Sequence, residues 1–370
     1  MSKPSSINEP FVRIAKRDAF PAWKAWMIRV AFIIFSLVIC AVFIFSITKL
    51  NPIEVYKSMF RGAFGTERRA WVTVRDVMML LCVSLGLAPA FMMKFWNIGA
   101  EGQILVGGIA TAACMIYLGN SVPTPLLLVI MFVVSAVAGA LWGLFPALFK
   151  AKWNTNETLF TLMMNYVAIQ LTSFFVALWE NPVGSNTVGI INPQTQGGWF
   201  PSLFGQEYGL NVIIVVILTV FMFFYLRNSK QGYEITIVGD SENTARYAGM
   251  NVKKIIIRTM LISGAICGIA GFITVAGASH TISTSTSGGR GFTAIIVAWL
   301  SKFNSFVMIL FSFLIVFLEK GASQIASDFS LNDQASEIMK GIILFFVLAS
   351  EFFINYRLIF RGSHNKEGNN

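Results

Sequence analysis

Two stretches of this 370-residue chain place glycines and polar side chains directly before an apolar run. The first reads Asn97-Ile-Gly-Ala-Glu-Gly-Gln103 and leads into the run Ile104–Leu118. Glycine lets the backbone unwind and approach a ligand closely, and a helix that begins at such a break offers free N–H groups to a polar molecule. The stretch therefore predicts recognition of a polar ligand by Asn97, Glu101 and Gln103. A short solvated turn between two apolar segments is the alternative.

The second stretch follows about 190 residues later and has the same design. Here Gly288-Gly-Arg precedes Gly291, Phe292 and Thr293, which open another short apolar run. Two short, glycine-entered segments in corresponding places of two halves are typical of a repeated transporter core with a central site. We therefore expect these three residues to line a cavity together with the first stretch. A flexible external turn, continuing the Thr/Ser run 281–287, is the alternative.

The third stretch is polar and lies in the long interval 227–258. It predicts a short helix with Asp240 or Ser241 as its N-cap and Gly249 at its end. A short capped helix between two apolar segments would form a rigid knob that fits a groove on a partner, although an ordinary solvated surface helix is the alternative. The residues of this knob are Asp240, Glu242, Ala245, Arg246, Tyr247, Ala248 and Gly249.

Composition identifies the elements that must position these stretches. Hydrophobic residues make up 55% of the chain, charged residues 12%, and the mean hydropathy is +0.68. Soluble domains carry about 25% charged residues, so the composition excludes a soluble globule, and it excludes disorder as well. The fold class is all-α, a polytopic membrane protein of about ten helices in two pseudo-repeated halves. The predicted spans, of which the third, eighth and ninth are short, are Ile28–Thr48, Val77–Phe95, Ile104–Leu118, Leu126–Phe149, Leu159–Trp179, Leu210–Leu226, Thr259–Ala278, Phe292–Leu300, Phe306–Leu318 and Ile338–Phe353.

The distribution of lysine and arginine predicts the orientation. The net charge is +10, and cytoplasmic loops of membrane proteins are enriched in these residues. The N-terminal segment 1–27 and the tail 357–370 are expected in the cytoplasm, on either side of a transmembrane domain 28–356 with an inner loop 227–258. Loop 180–208 has no Lys or Arg and is expected outside, whereas loop 49–75 is basic and contradicts the pattern. The basic residues form no continuous stripe, so no nucleic-acid partner is expected.

No arrangement of residues predicts catalysis. The sequence has no phosphate-binding loop and no Gly-Lys pair, so any ATP hydrolysis would need another polypeptide. The two histidines make a histidine metal site improbable, and neither a metal nor a cofactor is expected. Asp76 is expected to pair with Arg75 as a structural charge. The chain is therefore not expected to be an enzyme.

Four ordered motifs resemble one family of membrane proteins, the permease subunits of nucleoside-type ATP-binding-cassette importers, a branch of the simple-sugar and branched-chain amino-acid permease group. The resemblance runs from about Asn51 to Phe353. Its motifs are Asn97–Gln103, Lys152–Tyr166 (KWNTNETLFTLMMNY), Gly232–Asn251 (GYEITIVGDSENTARYAGMN) and Gly289–Leu300. The chain departs from the family at Thr158-Leu159, where Val or Ile-Ser usually follows Asn-Glu. It also departs at Trp299, where a small residue or Leu is usual.

The resemblance implies an importer in the bacterial inner membrane that works by alternating access, with both termini cytoplasmic. Its implied partners are membrane lipid, two ATPase subunits, a second permease subunit (a copy or a sister chain) and an extracytoplasmic binding protein, often a lipoprotein, which would dock on loop 180–208. The implied substrate is a nucleoside, with purine nucleosides favoured, and the knob would couple to the ATPase. Glu157 and Asn165 have two open roles, gating and packing.

Other functions remain open at this level. An ABC permease for simple sugars such as ribose belongs to the same class. An ion-coupled secondary transporter would also use repeated halves, and it would need an acidic relay drawn from Asp76, Glu101, Glu157 and Glu319. A receptor without transport is a third alternative, against which the glycine-entered segments argue.

Overall fold

The computed structural model describes residues 12–17, 21–48, 52–203, 205–329 and 333–360. Within those ranges the chain is almost wholly helical and forms two units, 1–63 with 318–370 and 64–317. In chain order the elements are β1 (Val12–Lys16), α1 (Ala22–Thr48), α2 (Pro52–Phe64), α3 (Glu67–Met92), α4 (Ala100–Leu118), α5 (Thr124–Trp153), α6 (Glu157–Leu178), α7 (Gly209–Asn228), α8 (Lys230–Asp240), α9 (Glu242–Tyr247), α10 (Val252–Thr274) with a π-helical turn (Val275–Ser279), α11 (Arg290–Leu300), α12 (Ser305–Asp328), α13 (Asp333–Asn355) and β2 (Tyr356–Phe360).

The predicted polytopic all-α architecture is confirmed. Each of the ten predicted spans overlaps a helix, and among the described residues eight helices are long and apolar enough to cross a membrane. Two predicted short spans are longer than expected: α4 has 19 residues and α12 has 24. Hydropathy misplaced these ends because the polar first turn of α4 is helical and because α12 continues as a polar helix beyond Leu318. Among the three spans predicted to be short, only the one in α11, with 11 residues, is as short as its apolar run indicated.

Three further elements were not predicted. The basic interval 49–75 is not a loop, because it contains the amphipathic helix α2 and the start of α3. The interval 227–258 holds α8 in addition to the expected short helix. A two-stranded antiparallel sheet joins β1 to β2, in the register Val12↔Phe360 to Lys16↔Tyr356. Apolar periodicity cannot reveal such a sheet, since its strands lie at opposite ends of the chain.

Unit 64–317 is organised around α10, which packs against α3, α4 and α5. Small residues set the close approach of these helices: a Cβ added to Gly268 would overlap the carbonyl oxygen of Ser135, and one added to Gly271 would lie 2.6 Å from the amide nitrogen of Gly108. Close backbone contact through small residues replaces the hydrophobic driving force that lipid removes. The glycines at these positions therefore hold the core of the unit together.

The helices that enter through glycine pack across the two predicted halves. α4 follows α3 in sequence yet packs against α10, and α11 follows α10 yet packs against α3. The helices α4 and α11, which each follow a glycine-rich break, thus pack against the long helix of the other predicted half. Such an exchange is the arrangement expected of two related halves around a shared site.

Unit 1–63 with 318–370 is built on the pair α1 and α13. A buried ion pair joins them, with Arg29 Nε 2.8 Å from Glu351 Oε1. The β1–β2 ribbon extends from the same two helices, and the backbone N–H of Arg17 donates to the carbonyl of Asn355. β1 and β2 therefore bring the start of α1 and the end of α13 close together.

The segment 180–208 is folded over the ends of α4 and α10. The N–H of Ile191 donates to the carbonyl of His280, and the N–H of Phe200 donates to that of Ala276. The indole of Trp199 stacks on the His280 imidazole, with ring centroids 3.8 Å apart. A loop of this length without secondary structure usually has a function, and these contacts fix its position on the unit.

Protonation of His280 is expected to loosen this loop. Burial lowers the pKa of His280 below its ordinary 6.5, because an imidazolium there would lose hydration, while the Glu207 carboxylate opposes the shift. The stabilisation from neutral His280 is therefore complete above 6.5 and is lost as the pH falls below that value. We expect amide protection of Ile191 and Phe200 to fall at about pH 5 relative to neutral pH. A His280→Gln variant is the control, and an equal loss in that variant contradicts the assignment.

Candidate functional site

The break between α3 and α4 is held by two side chains of α6. Thr161 Oγ1 accepts from the N–H of Ile98 at 3.2 Å. Asn165 Oδ1 accepts from the N–H of Gly102 at 2.9 Å, and its Nδ2 donates to the Ile98 carbonyl at 2.9 Å. Non-helical backbone at membrane depth needs such partners. These bonds attach Asn165 to both sides of the break. Thr161 was missed, although it lies one turn before Asn165 in the quoted motif.

Asn97 lies inside this break and Gln103 in the first turn of α4, and both are fully buried. Asn97 Oδ1 accepts from the N–H of Gly99 at 3.0 Å, and its Nδ2 donates to Ser263 Oγ at 3.1 Å and to Gln103 Oε1 at 3.4 Å. The amides therefore link the start of α4 to α10. Ser263 was not singled out from the sequence, because a serine in an apolar run carries no signal of its own.

Glu101 brings the two glycine-entered segments together. Its Oε1 accepts from the backbone N–H of Gly291 at 2.6 Å, and its side chain is buried. Glu101 belongs to the first turn of α4 and Gly291 to the first turn of α11, so the carboxylate lies at the amino-terminal ends of two helices. The positive end of a helix dipole stabilises a carboxylate in this position. The two segments are thus in contact through Glu101 and Gly291.

A cluster of charges adjoins this contact. Arg290, at the start of α11, lies with Nη2 3.4 Å from Asp76 Oδ1, and Arg75 lies with Nη2 3.0 Å from the same oxygen. The expected Arg75–Asp76 pair is therefore present, whereas Arg290 was not predicted as a second partner of Asp76. Arg75 also lies over the Tyr208 ring at 5.0 Å. Asp76 thereby ties α11 to α3.

The remaining predicted pathway residues lie on α11. Phe292 is 47% exposed and Trp299, seven residues further on the same face, is 44% exposed. Thr293 is partly exposed, and its Oγ1 donates to the Gly289 carbonyl. The Trp299 ring stacks on that of Trp96, directly before Asn97, with centroids 5.8 Å apart. α11 thus presents an aromatic face beside the Glu101–Gly291 contact.

The predicted knob is present as α9, shorter than expected. Ser241 is its N-cap, with Oγ accepting from the N–H of Thr244, and Gly249 ends the segment at a φ of +77°. Ala245 is fully buried, whereas Tyr247 is 92% exposed. The knob is therefore anchored through Ala245 and presents Tyr247 outward. Asp240, Glu242, Arg246, Ala248 and Gly249 are also exposed.

A cavity of about 220 Å³ separates the knob from the ends of α3 and α5. Lys94, Lys150, Asp240 and Glu242 are among its lining residues. Glu157 also lines it and pairs with Lys150, at 2.9 Å between Oε2 and Nζ. The position of Glu157 connects the start of α6 to the region of the knob.

Comparison with known proteins identifies the family. Residues 72–348 match the family described as "Branched-chain amino acid transport system / permease component". The chain belongs to this permease family. It is a multi-pass membrane protein of the ABC permease class. This family membership excludes the alternative of an ion-coupled secondary transporter.

Individual relatives differ in the substrate that they are named for. The glucose ABC transporter permease of Haloferax volcanii is 29% identical over 94% of this chain and 93% of its own length. The guanosine ABC transporter permease of Bacillus subtilis is 30% identical over 85% and 90%. The nucleoside ABC transporter permease of Lactococcus lactis is 28% identical over 83% and 86%. No solved structure matches this chain.

Proposed function

We propose that this permease forms the translocation pathway for nucleosides, with purine nucleosides preferred, in the inner membrane of a bacterium. The observation that carries the proposal is the similarity over most of the chain to permeases named for guanosine and nucleoside transport. The resemblance of the Asn97–Gln103 stretch to nucleoside-type permeases also supports it. Both termini are proposed to lie in the cytoplasm.

The pathway is proposed to pass the contact between α4 and α11. Glu101 and Gly291 join two helix starts, and Asn97 and Gln103 form a hydrogen bond at the start of α4. Carboxylate and amide groups can accept from ribose hydroxyls and pair with base edges, and an uncharged ligand needs no counter-ion. In this proposal the aromatic face of α11, with Phe292 and Thr293 at its start, contacts the ligand first. Rocking of the two halves then exposes the site alternately to each side.

Two kinds of partner follow from this proposal. ATPase subunits would receive the exposed face of α9, since Tyr247 projects from an anchored helix. An extracytoplasmic binding protein would dock on segment 180–208, which the contacts with His280 hold in place. A second permease subunit, a copy or a sister chain, would complete the pathway.

Import of a simple sugar is the second candidate. It is favoured by the glucose permease relative, which matches 94% of this chain. The nucleoside and sugar proposals can be separated by measuring uptake of labelled guanosine and of labelled glucose. The assay uses cells that express the permease with its ATPase and binding protein. We expect guanosine uptake that excess adenosine inhibits and excess glucose does not. Glucose uptake without guanosine uptake would contradict the nucleoside proposal.

The two docking surfaces can be tested with one pair of variants. Tyr247 and Val183 are 92% and 91% exposed, the first on α9 and the second on segment 180–208. Tyr247→Arg is expected to weaken association with the ATPase about ten-fold or more, as loss of an aromatic interface anchor does, and to leave binding-protein affinity unchanged. Val183→Arg is expected to weaken the affinity for the binding protein and to leave association with the ATPase unchanged. Co-purification and binding assays measure both, and two variants with the same effect would contradict the assignment.

A further inference from the structure

The β1–β2 ribbon has two chemically different faces. Directly opposed residues of an antiparallel pair project to the same face, and successive residues alternate. The register Arg13↔Ile359 and Ala15↔Arg357 therefore places both arginines on one face. Ile14 and Tyr356 lie on the other, where they are 56% and 39% exposed. One face of the ribbon thus carries both arginines, and the other is mainly apolar, although the register also places Lys16 there.

The arginine face has no ion-pair partner within the described part of the chain, and Tyr356 on the other face contacts Phe352 but stays partly exposed. Arg13 and Arg357 are diagonal neighbours, about 7–8 Å apart in such a pair, and there neither forms an ion pair. Their mutual repulsion destabilises the ribbon. A two-stranded ribbon is also marginally stable in water without a covered apolar face. An anionic, amphiphilic surface would relieve both costs.

The position of the ribbon identifies such a surface. It extends from α1 and α13, and the Tyr356 ring stacks on Phe352 in the last turns of α13, with centroids 5.4 Å apart. The start of α1 carries Trp23, which is 62% exposed, and Lys24, whose Nζ lies 5.4 Å from that indole ring. Indole and lysine side by side at the end of a span are typical of the lipid headgroup region. Residues 12–29 of the sequence contain five basic residues and one acidic residue, Asp18.

We propose that the β1–β2 ribbon is a membrane-surface anchor that binds anionic phospholipid headgroups. Arg13 and Arg357 contact the headgroup phosphates with charge-assisted hydrogen bonds. Ile14 and Tyr356 enter the boundary between headgroups and acyl chains, as the apolar face of an interfacial amphipathic element does. The anchor is independent of the transported substrate.

Hydrogen exchange of the full-length permease in nanodiscs tests this proposal locally. Ribbon amides at 12–16 and 356–360 are expected to exchange about thirty-fold more slowly in phosphatidylglycerol than in phosphatidylcholine at low salt. Added salt is expected to reduce the difference. Arg13→Gln combined with Arg357→Gln is expected to abolish it, and the double lysine variant is expected to retain it.

Controls separate the lipid from other partners. Arg68 is an exposed arginine outside the ribbon, and Arg68→Gln is expected to leave the lipid-dependent protection intact. Ile14→Glu is expected to remove protection, because a carboxylate would face the lipid. Equal exchange in the two lipids would overturn the proposal. So would protection that depends on protein concentration and oligomeric state, which would assign the ribbon to a second copy of the chain.

Discussion

Gly268→Ala is expected to destabilise the permease severely, with an apparent unfolding temperature lower by several degrees and a reduced yield of folded protein. The added Cβ would overlap the carbonyl oxygen of Ser135 on α5 and lie 3.1 Å from the Gly139 Cα. Both obstructing groups are backbone, so α5 and α10 must separate. Overpacking of a core costs about 1–3 kcal/mol and sometimes more. Thermal unfolding in detergent, followed by circular dichroism or intrinsic fluorescence, measures the effect.

A matched substitution shows whether proximity is the cause. Gly341, on α13, has no atom within 4 Å of an added Cβ. Gly341→Ala is therefore expected to leave the unfolding temperature unchanged or slightly raised, because alanine favours the helix. Equal losses in the two variants would mean that helix packing through Gly268 is not what stabilises this unit.

Glu101→Ala is expected to reduce both stability and nucleoside uptake. It leaves the buried N–H of Gly291 without an acceptor, which costs about 1–3 kcal/mol, and it removes the connection between the starts of α4 and α11. We expect uptake at least ten-fold lower, since misplacement by about 1 Å at a functional site has effects of this size or larger. Radiolabelled uptake and thermal unfolding, performed on the same preparation, measure the two effects.

The isosteric Glu101→Gln separates the charge from the hydrogen bond. Glutamine keeps an oxygen that accepts from Gly291, so the unfolding temperature is expected to stay near that of the native protein. Uptake is nevertheless expected to fall if the carboxylate contacts the ligand. Uptake at the native rate would restrict Glu101 to a structural role and would move the proposed pathway away from this contact.

The sequence predicted the spans well because hydropathy is a local property. Runs such as Leu126–Phe149 and Leu210–Leu226 need no knowledge of the rest of the fold, and both lie within helices of nearly the expected length. Polar helices such as α8 lack this signal. The helix α2 is amphipathic, so its basic residues were counted as those of a loop.

The candidate site was only partly predictable, for a related reason. Glycine and polar residues marked the breaks before α4 and α11, and the pairing of the two breaks indicated that they meet. The partner of Glu101 is a backbone N–H, and the residue types in a sequence do not predict which backbone group a side chain will contact. The partners of Asn97 and Asp76 are Ser263 and Arg290, far along the chain. Periodicity identifies elements, whereas the contacts between them depend on the tertiary fold.

Pairing of β1 with β2 has a consequence for the order of biogenesis. During synthesis β1 emerges first and β2 follows the last span, so the ribbon closes only after every helix between them has been made. A chain that stalls, or that inserts with an odd number of crossings, leaves the two strands on opposite sides of the bilayer and unable to meet. Formation of the ribbon therefore requires that synthesis has reached β2 and that the chain has crossed the bilayer an even number of times. A split reporter with one half at each end of the chain would show this closure in living cells.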